Sequence, residues 1–454
     1  MSKRNFILLT IVLIITAIAT LGFLYFQKGI NAPSDDGTNT DFFSLFNPFG
    51  TSKPAGPVVK PPIDVSGYQP PVVEAPKLKL AKISSVPVAG FIIFTKERLK
   101  DVPVATPPVV PSPEIEATVV KTTATVKKPT PPLTEFMPAL RYVDRITGNV
   151  YQTFIDKIEE RRFTTNIIPK IYDAYFGNRG ESVVMRYLKE DGKTIETFAG
   201  NLPKELLGGD TLDKNEIKGS FLPDNVKDIS LSPDGSKIFY LFSSGNAFNE
   251  NMTGATLVFL GNKKVQIFDS PFTEWLSQWP NSNTVTLSTK PSANVPGYMY
   301  KMDSATGKNL TKVLGEINGL TTLTSPNGKL ILYGDNNLSL NVYNLETMNS
   351  FVLGVKTLPE KCVWGKVSDM IYCAVPKSIG FGDYPDAWYQ GEVSFSDQFW
   401  KINIKTGNAT IISDPATLEE GEEVDGVKLA TDENENYLFF VNKKDSFLWK
   451  LNLK

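Results

Sequence analysis

Over most of this chain the apolar residues come in short runs separated by turn residues, and their alternation has the period of strands rather than helices. From Lys77 onward these runs, rich in Val, Ile, Phe and Tyr, group into units of about four. One unit reads "VKDISL", the turn "SPDG", "SKIFYLF", a loop, "ATLVFLG" and "VQIFDS". The next offers "WLSQWP", "NTVTLST", "GYMYKMD" and "LTKVLG", and a third "GLTTL", the turn "SPNG", "KLILYG", "LSLNVYN" and "SFVLGV". A fourth has "KCVWG", "MIYCAVP", a long insertion, "FWKINI" and "ATIIS". Four-stranded units repeated at this length are the signature of propeller blades.

Residues 166–200 add a degenerate blade. "SSVPVAGFIIF" reads as an inner strand, a turn and a second strand, completed by "ALRYVDR-ITGN-VYQTF" beyond a proline-rich insertion at 100–138. The last unit supplies three strands, "GVKLA", "YLFFVN" and "SFLWKLNL". "KLKLAKI", Lys77 to Ile83, is the natural supplier of its missing outer strand, and would close the ring without an open edge. The expected fold class is therefore an all-β, seven-bladed β-propeller over residues 77–454, with six and eight blades as the alternatives.

The turns carry a resemblance. "LSPDGSKIFYL", from Leu231, and "TSPNGKLILY", from Thr324, resemble the repeat of TolB-type and WD-repeat-like bacterial propellers, and "LATDENENYLFFV" is a degraded copy. The turn has its own physical reason: Pro presets φ, Asp or Asn bonds the local backbone, and Gly accepts positive φ. The resemblance implies a propeller with a protein partner in the cell envelope, but a shared fold does not transmit function.

Blade topology sorts the loops by face. Connections between first and second strands, and between third and fourth, emerge on one face; the remaining connections emerge on the other. All four long excursions, at 100–138, 201–224, 243–254 and 376–397, are expected on the second face, which is then the default place for a site. The loop from Pro376 to Trp400 gathers Phe381, Tyr384, Trp388 and Tyr389, rings suited to sugar stacking or a peptide groove. Trp275 and Trp279 are placed at the channel mouth. Packing of the loop onto the rim is the competing reading for these rings.

Composition narrows the chemistry. The chain has 454 residues, a net charge of −2 and no histidine. Nucleic-acid binding lacks its basic surface, and histidine-based triads and histidine metal sites are excluded. Asp383, Asp386 and Glu392 share the aromatic loop, and paired carboxylates serve glycoside hydrolysis, but nothing fixes a pair at a working separation. "DENEN" and "GGDTLDKNE" hold calcium-suited oxygens without matching a calcium loop. No metal and no cofactor are expected, and the protein is expected not to be an enzyme. A carboxylate-based glycan hydrolase or lyase, and a purely structural spacer, are the alternatives.

The N-terminus reads differently from the rest. Phe6 to Phe26 are 21 uncharged residues, about 31 Å as a helix. Lys3 and Arg4 precede them, so residues 1–5 are expected in the cytoplasm and everything after the span outside it. Cleavage after Ala19 as a signal peptide is the alternative. Between Asn31 and Leu140 lie 19 of the 32 prolines, and residues 27–76 read as a proline-rich stalk. Within the stalk, "DFFSLFNPFG" (Asp41 to Gly50) is aromatic enough to be a docking motif or an interfacial contact. The expected partner is a protein or peptide of the envelope, or a glycan. The two cysteines, Cys362 and Cys373, lie symmetrically about position 367.5 of a hairpin. They should therefore face each other, and an exported compartment would oxidise them to a disulfide.

Overall fold

A strand covered on both faces sends alternate residues into different cores. The computed structural model, which describes residues 79–100, 133–165, 168–207, 215–246, 249–418 and 421–454, is built on this rule. Phe6 to Phe26, the stalk and the Asp41 to Gly50 motif lie outside these residues. Among the described residues no helix is long and apolar enough to cross a membrane.

Within the same residues the strands form seven four-stranded antiparallel sheets. In chain order they are blades one (88–162), two (171–221), three (226–270), four (275–318), five (321–356) and six (362–413). Blade seven holds Gly426–Thr431, Tyr437–Asn442 and Leu448–Asn452, with Leu80–Lys82 as its outer strand. Leu80, Ala81 and Lys82 pair with Leu451, Lys450 and Trp449, so the ring closes between its two ends as the pattern requires.

Each pair of neighbouring blades shares one buried apolar cluster. Ile331 packs toward blade four, while its neighbour Leu332 packs toward blade six. In blade six, Ile371 and Cys373 face blade five, whereas Tyr372 and Ala374 face blade seven. Inner strands approach closely: at Gly90 a β-carbon would lie 1.9 Å from the Ala174 carbonyl oxygen of blade two, so no other residue fits.

The repeated turn is one structure written in several sequences. In "SPDG" Gly235 adopts φ 68°, its N–H bonds the Ser232 carbonyl at 2.8 Å, and Asp234 accepts from the Ser232 hydroxyl at 2.6 Å. "SPNG" repeats this with Gly328 (φ 70°) and Asn327. Blades six and seven reach the same positive φ with Ser368 (59°) and Glu435 (50°). That is why their sequences are hard to recognise as copies.

Blade one departs from the expected layout. Its innermost strand is Val88–Leu99, paired along its length with Thr134–Asp144, and Ser84–Pro87 is a crossing from blade seven rather than a strand. The insertion is thus shorter, ending at Leu133, and joins first to second strand. Blade two's fourth strand is Lys218–Phe221, so its excursion, 202–217, joins third to fourth. Residues 243–254 are not a loop: strands Lys237–Asn246 and Asn249–Val258 extend into a long hairpin. Two long excursions therefore leave the face of the "SPDG" turns and two the opposite face, which corrects the expectation that one face carries them all.

Candidate functional site

Three polar assemblies stand out on this scaffold. The first belongs to the inner strands. Asp173 of blade two takes Lys428 of blade seven at 2.6 Å and Arg186 at 3.2 Å. Asp228 of blade three accepts from the Ser277 N–H (2.6 Å) and hydroxyl (2.7 Å) of blade four. Gln278 donates to the Thr322 carbonyl of blade five at 2.5 Å and accepts from the Thr324 N–H at 2.8 Å. These contacts tie blade two to blade seven across blade one, blade three to blade four, and blade four to blade five. Burial pushes the Asp228 carboxyl up to about 6, the Ser277 donors opposing it. The signal in the sequence was a polar residue inside each apolar run ("YDAY", "VKDIS", "LSQWP").

The second assembly anchors the 377–396 loop on the face opposite the turns. Lys361 is fully buried, with its ammonium 2.8 Å from Asp397 Oδ2 and hydrogen-bonded to Asp425 Oδ1 and, at 3.1 Å, the Gly426 carbonyl. Asp425 also accepts from the Trp388 indole N–H at 2.9 Å and the Phe395 N–H at 3.0 Å. Burial disfavours both carboxylates. At Asp425 the Lys361 ammonium and these donors outweigh it and hold the group below its usual range; Asp397 stays raised.

The expected binding rings divide accordingly. Trp388 and Tyr384 are buried in a cluster with Phe395, Leu338 and Leu358 beneath the loop. Tyr389 is half-exposed, its hydroxyl 2.5 Å from Glu360 Oε1, and Phe381 is fully exposed. Trp275 and Trp279 are not at the channel mouth. They pack between blades three and four, with the Trp275 indole N–H donating to the Phe272 carbonyl at 2.9 Å, because odd positions of that strand turn toward blade three. Asp383, Asp386 and Glu392 stand on or beside the loop's short helix, Asp386–Tyr389. Asp386 accepts from the Ala293 N–H at 2.6 Å, while the other two are exposed.

The third assembly was not foreseen, because it joins residues far apart in the chain. A cleft of about 540 Å³ on the turn face lies between the far ends of blade one's first and third strands and the start of blade two's 202–217 excursion. Glu205, nearly buried, receives Lys96 (2.7 Å), Arg141 (2.8 Å) and Arg161 (2.5 Å). Arg141 is further tied to Gln152 (2.8 Å) and the Gly180 carbonyl (2.7 Å), over the Phe163 ring at 4.3 Å. Burial pushes its guanidinium down from the usual value, Glu205 opposing. Among the described residues no group of three or more Cys, Asp or Glu could hold a metal ion.

Cys362 and Cys373 are directly opposite in blade six and bonded, their α-carbons 4.0 Å apart.

Neither a protein-family model nor a curated protein matches the chain. Solved structures do. An oligogalacturonate lyase in complex with manganese is 11% identical, with a TM-score of 0.45 over 70% of this chain and 85% of that one. The oligogalacturonate lyase of Vibrio parahaemolyticus is 9% identical, with a TM-score of 0.45 over 70% and 86%. TolB from Acinetobacter baumannii is 10% identical, with a TM-score of 0.36 over 68% and 60%. At these identities the likeness is one of fold. The expectation that the protein is not an enzyme is corrected: proteins with this fold include the two lyases, while identities of 11% and 9% establish no activity here.

Proposed function

We propose that this propeller is a binding and scaffold module displayed outside the cytoplasm. Phe6 to Phe26 hold it to the membrane, residues 27–76 set it off the surface, and its partner is a protein or peptide of the cell envelope. The observation that carries this reading is the Cys362–Cys373 bond, buried in blade six and made by the chain's only two cysteines. Bonds of this kind persist in oxidising compartments and are rare in the cytosol. The binding role draws on the architecture: a ring with no open blade is a rigid frame, and its long loops are the part free to vary between partners.

Display is tested by a single reporter. Phe381, fully exposed, is changed to Cys, and intact cells are treated with a membrane-impermeant maleimide. Labelling before permeabilisation is expected. Labelling only after the membrane is opened, with the Cys362–Cys373 pair found reduced, contradicts the reading.

A further inference from the structure

Phe381 is fully exposed, while its neighbours in the 377–396 loop are held down. Ile379 packs against the buried cluster of Tyr384, Trp388 and Phe395, and the Tyr384 hydroxyl donates to the Gly380 carbonyl at 3.0 Å. On the other side, the Ala387 N–H donates to the Asp383 carbonyl at 2.8 Å. A β-carbon at Gly382 would lie 3.2 Å from that of Ala387, whereas one at Gly380 would meet no atom within 4 Å. The tip is thus fixed on both sides of a ring that the protein leaves uncovered. Burying such a ring returns a large apolar gain, and a loop already fixed loses little freedom when a partner covers it.

The surroundings of this ring are acidic. Lys377 is paired with Asp414 at 2.6 Å, and the buried Lys361 with Asp397 and Asp425. Where the loop reaches blade four, Lys290 is paired with Glu274 at 3.0 Å. Of the charged groups on the loop or bonded to it, among the described residues, that leaves Asp383, Asp386 and Glu392 against Lys443, even with Glu360 set aside. Lys443 is itself turned inward, donating to the Trp388 carbonyl at 2.7 Å. An anionic lipid surface repels such a loop, and a neutral glycan gains nothing from its charge. A basic protein surface is drawn to it, and an apolar pocket there takes the ring as an anchor.

We propose that Phe381 is the anchor of a protein-docking surface, and that its partner presents an apolar pocket rimmed by Lys and Arg. The inference rests on the binding reading above and gives it a place and a chemistry. Display outside the cytoplasm is read separately by the maleimide experiment. A protein adduct from Leu206 with none from this loop would sink the present inference and leave the binding reading standing.

The test keeps Phe381 in place and puts benzoylphenylalanine at Ser378 or Gln390, both exposed in the same loop, in the full chain in its native membranes. Irradiation should give a discrete protein adduct. The protein identified by mass is then purified and titrated against the full chain in detergent. Phe381→Ser should weaken binding at least about tenfold, as loss of an aromatic anchor does, with the melting temperature unchanged because the ring packs on nothing. Phe381→Tyr should keep most of the affinity. Asp383→Lys with Glu392→Lys should also weaken binding at least about tenfold, and added salt should weaken binding of the unmodified chain. No protein adduct from the loop, or binding unchanged by Phe381→Ser, overturns the proposal. Adducts with lipid or glycan alone overturn the protein assignment, and indifference to the charge reversal overturns the basic partner.

Discussion

Leu80 lies opposite Leu451, so the strand that opens the described propeller is hydrogen-bonded into the blade that ends it. Leu80 and Leu451 sit in one apolar cluster with Phe440 and Trp449, and the Lys79 carbonyl accepts from the Asn452 N–H at 2.8 Å. Removing that strand removes three paired residues and bares an edge. A protein beginning at Ser84 should therefore melt several degrees below one beginning at Pro70, a loss of about 2 kcal/mol or more. Equal melting temperatures would show that closure contributes nothing.

The cysteine pair has a comparable local role. It encloses a short loop, with a sequence separation of 11, for which the chain-entropy account gives about 3 kcal/mol. Changing both cysteines to Ser should lower stability in denaturant by about that amount. Intact-mass analysis of protein purified without reductant should find no alkylated thiol. Two alkylated cysteines would rule the bond out in the purified protein.

Lys361 is fully buried between Asp397 and Asp425. Lys361→Met leaves two carboxylates buried without a cation and should cost about 3–5 kcal/mol. Adding Asp397→Asn and Asp425→Asn to Lys361→Met should recover part of that loss, since the stranded charges go with them. If the triple variant is no more stable than Lys361→Met, geometry rather than charge holds the loop.

Asp228 predicts a pH dependence. Its carboxyl is raised to about 6 by burial, against the Ser277 donors and Arg186, with Asp173 adding to the rise. Unfolded, it returns to about 3.9. Between these values the folded state holds the extra proton, so this group's contribution falls as pH rises from about 4 to about 6. Above that window the penalty is at most about 3 kcal/mol. Asp228→Asn should raise the melting temperature by a few degrees near pH 7 and leave it nearly unchanged near pH 4. A lower melting temperature near pH 7 would contradict the assignment.

Much of the ring is legible in the sequence, since blade structure rests on local patterns: strand alternation and turns whose Gly, Asn or Asp answers a backbone demand. Strand closure and the cysteine pairing follow from position alone, and both hold. Blade one was misaligned because its hairpin runs past the core. Lys96, Glu97 and Arg98 are strand residues that no apolar alternation reveals. That misalignment, with the unrecognised strand Lys218–Phe221, put two excursions on the wrong face. The Glu205 assembly could not be read at all, since it joins positions 96, 141, 161 and 205 through blade packing. Trp388 shows the opposite limit: a ring in a Gly- and Pro-rich loop looks available for a ligand, yet Asp425 and Phe395 already use it.

Photo-crosslinking from within the propeller asks whether it holds a protein or peptide partner. A photoreactive phenylalanine analogue is placed at Leu206 or Phe381 of the full chain in its native membranes, and the adducts are identified by mass. A discrete adduct with one envelope protein is expected from at least one position. Irradiation that yields no protein adduct from either position, on a chain shown to be folded and displayed, would contradict it.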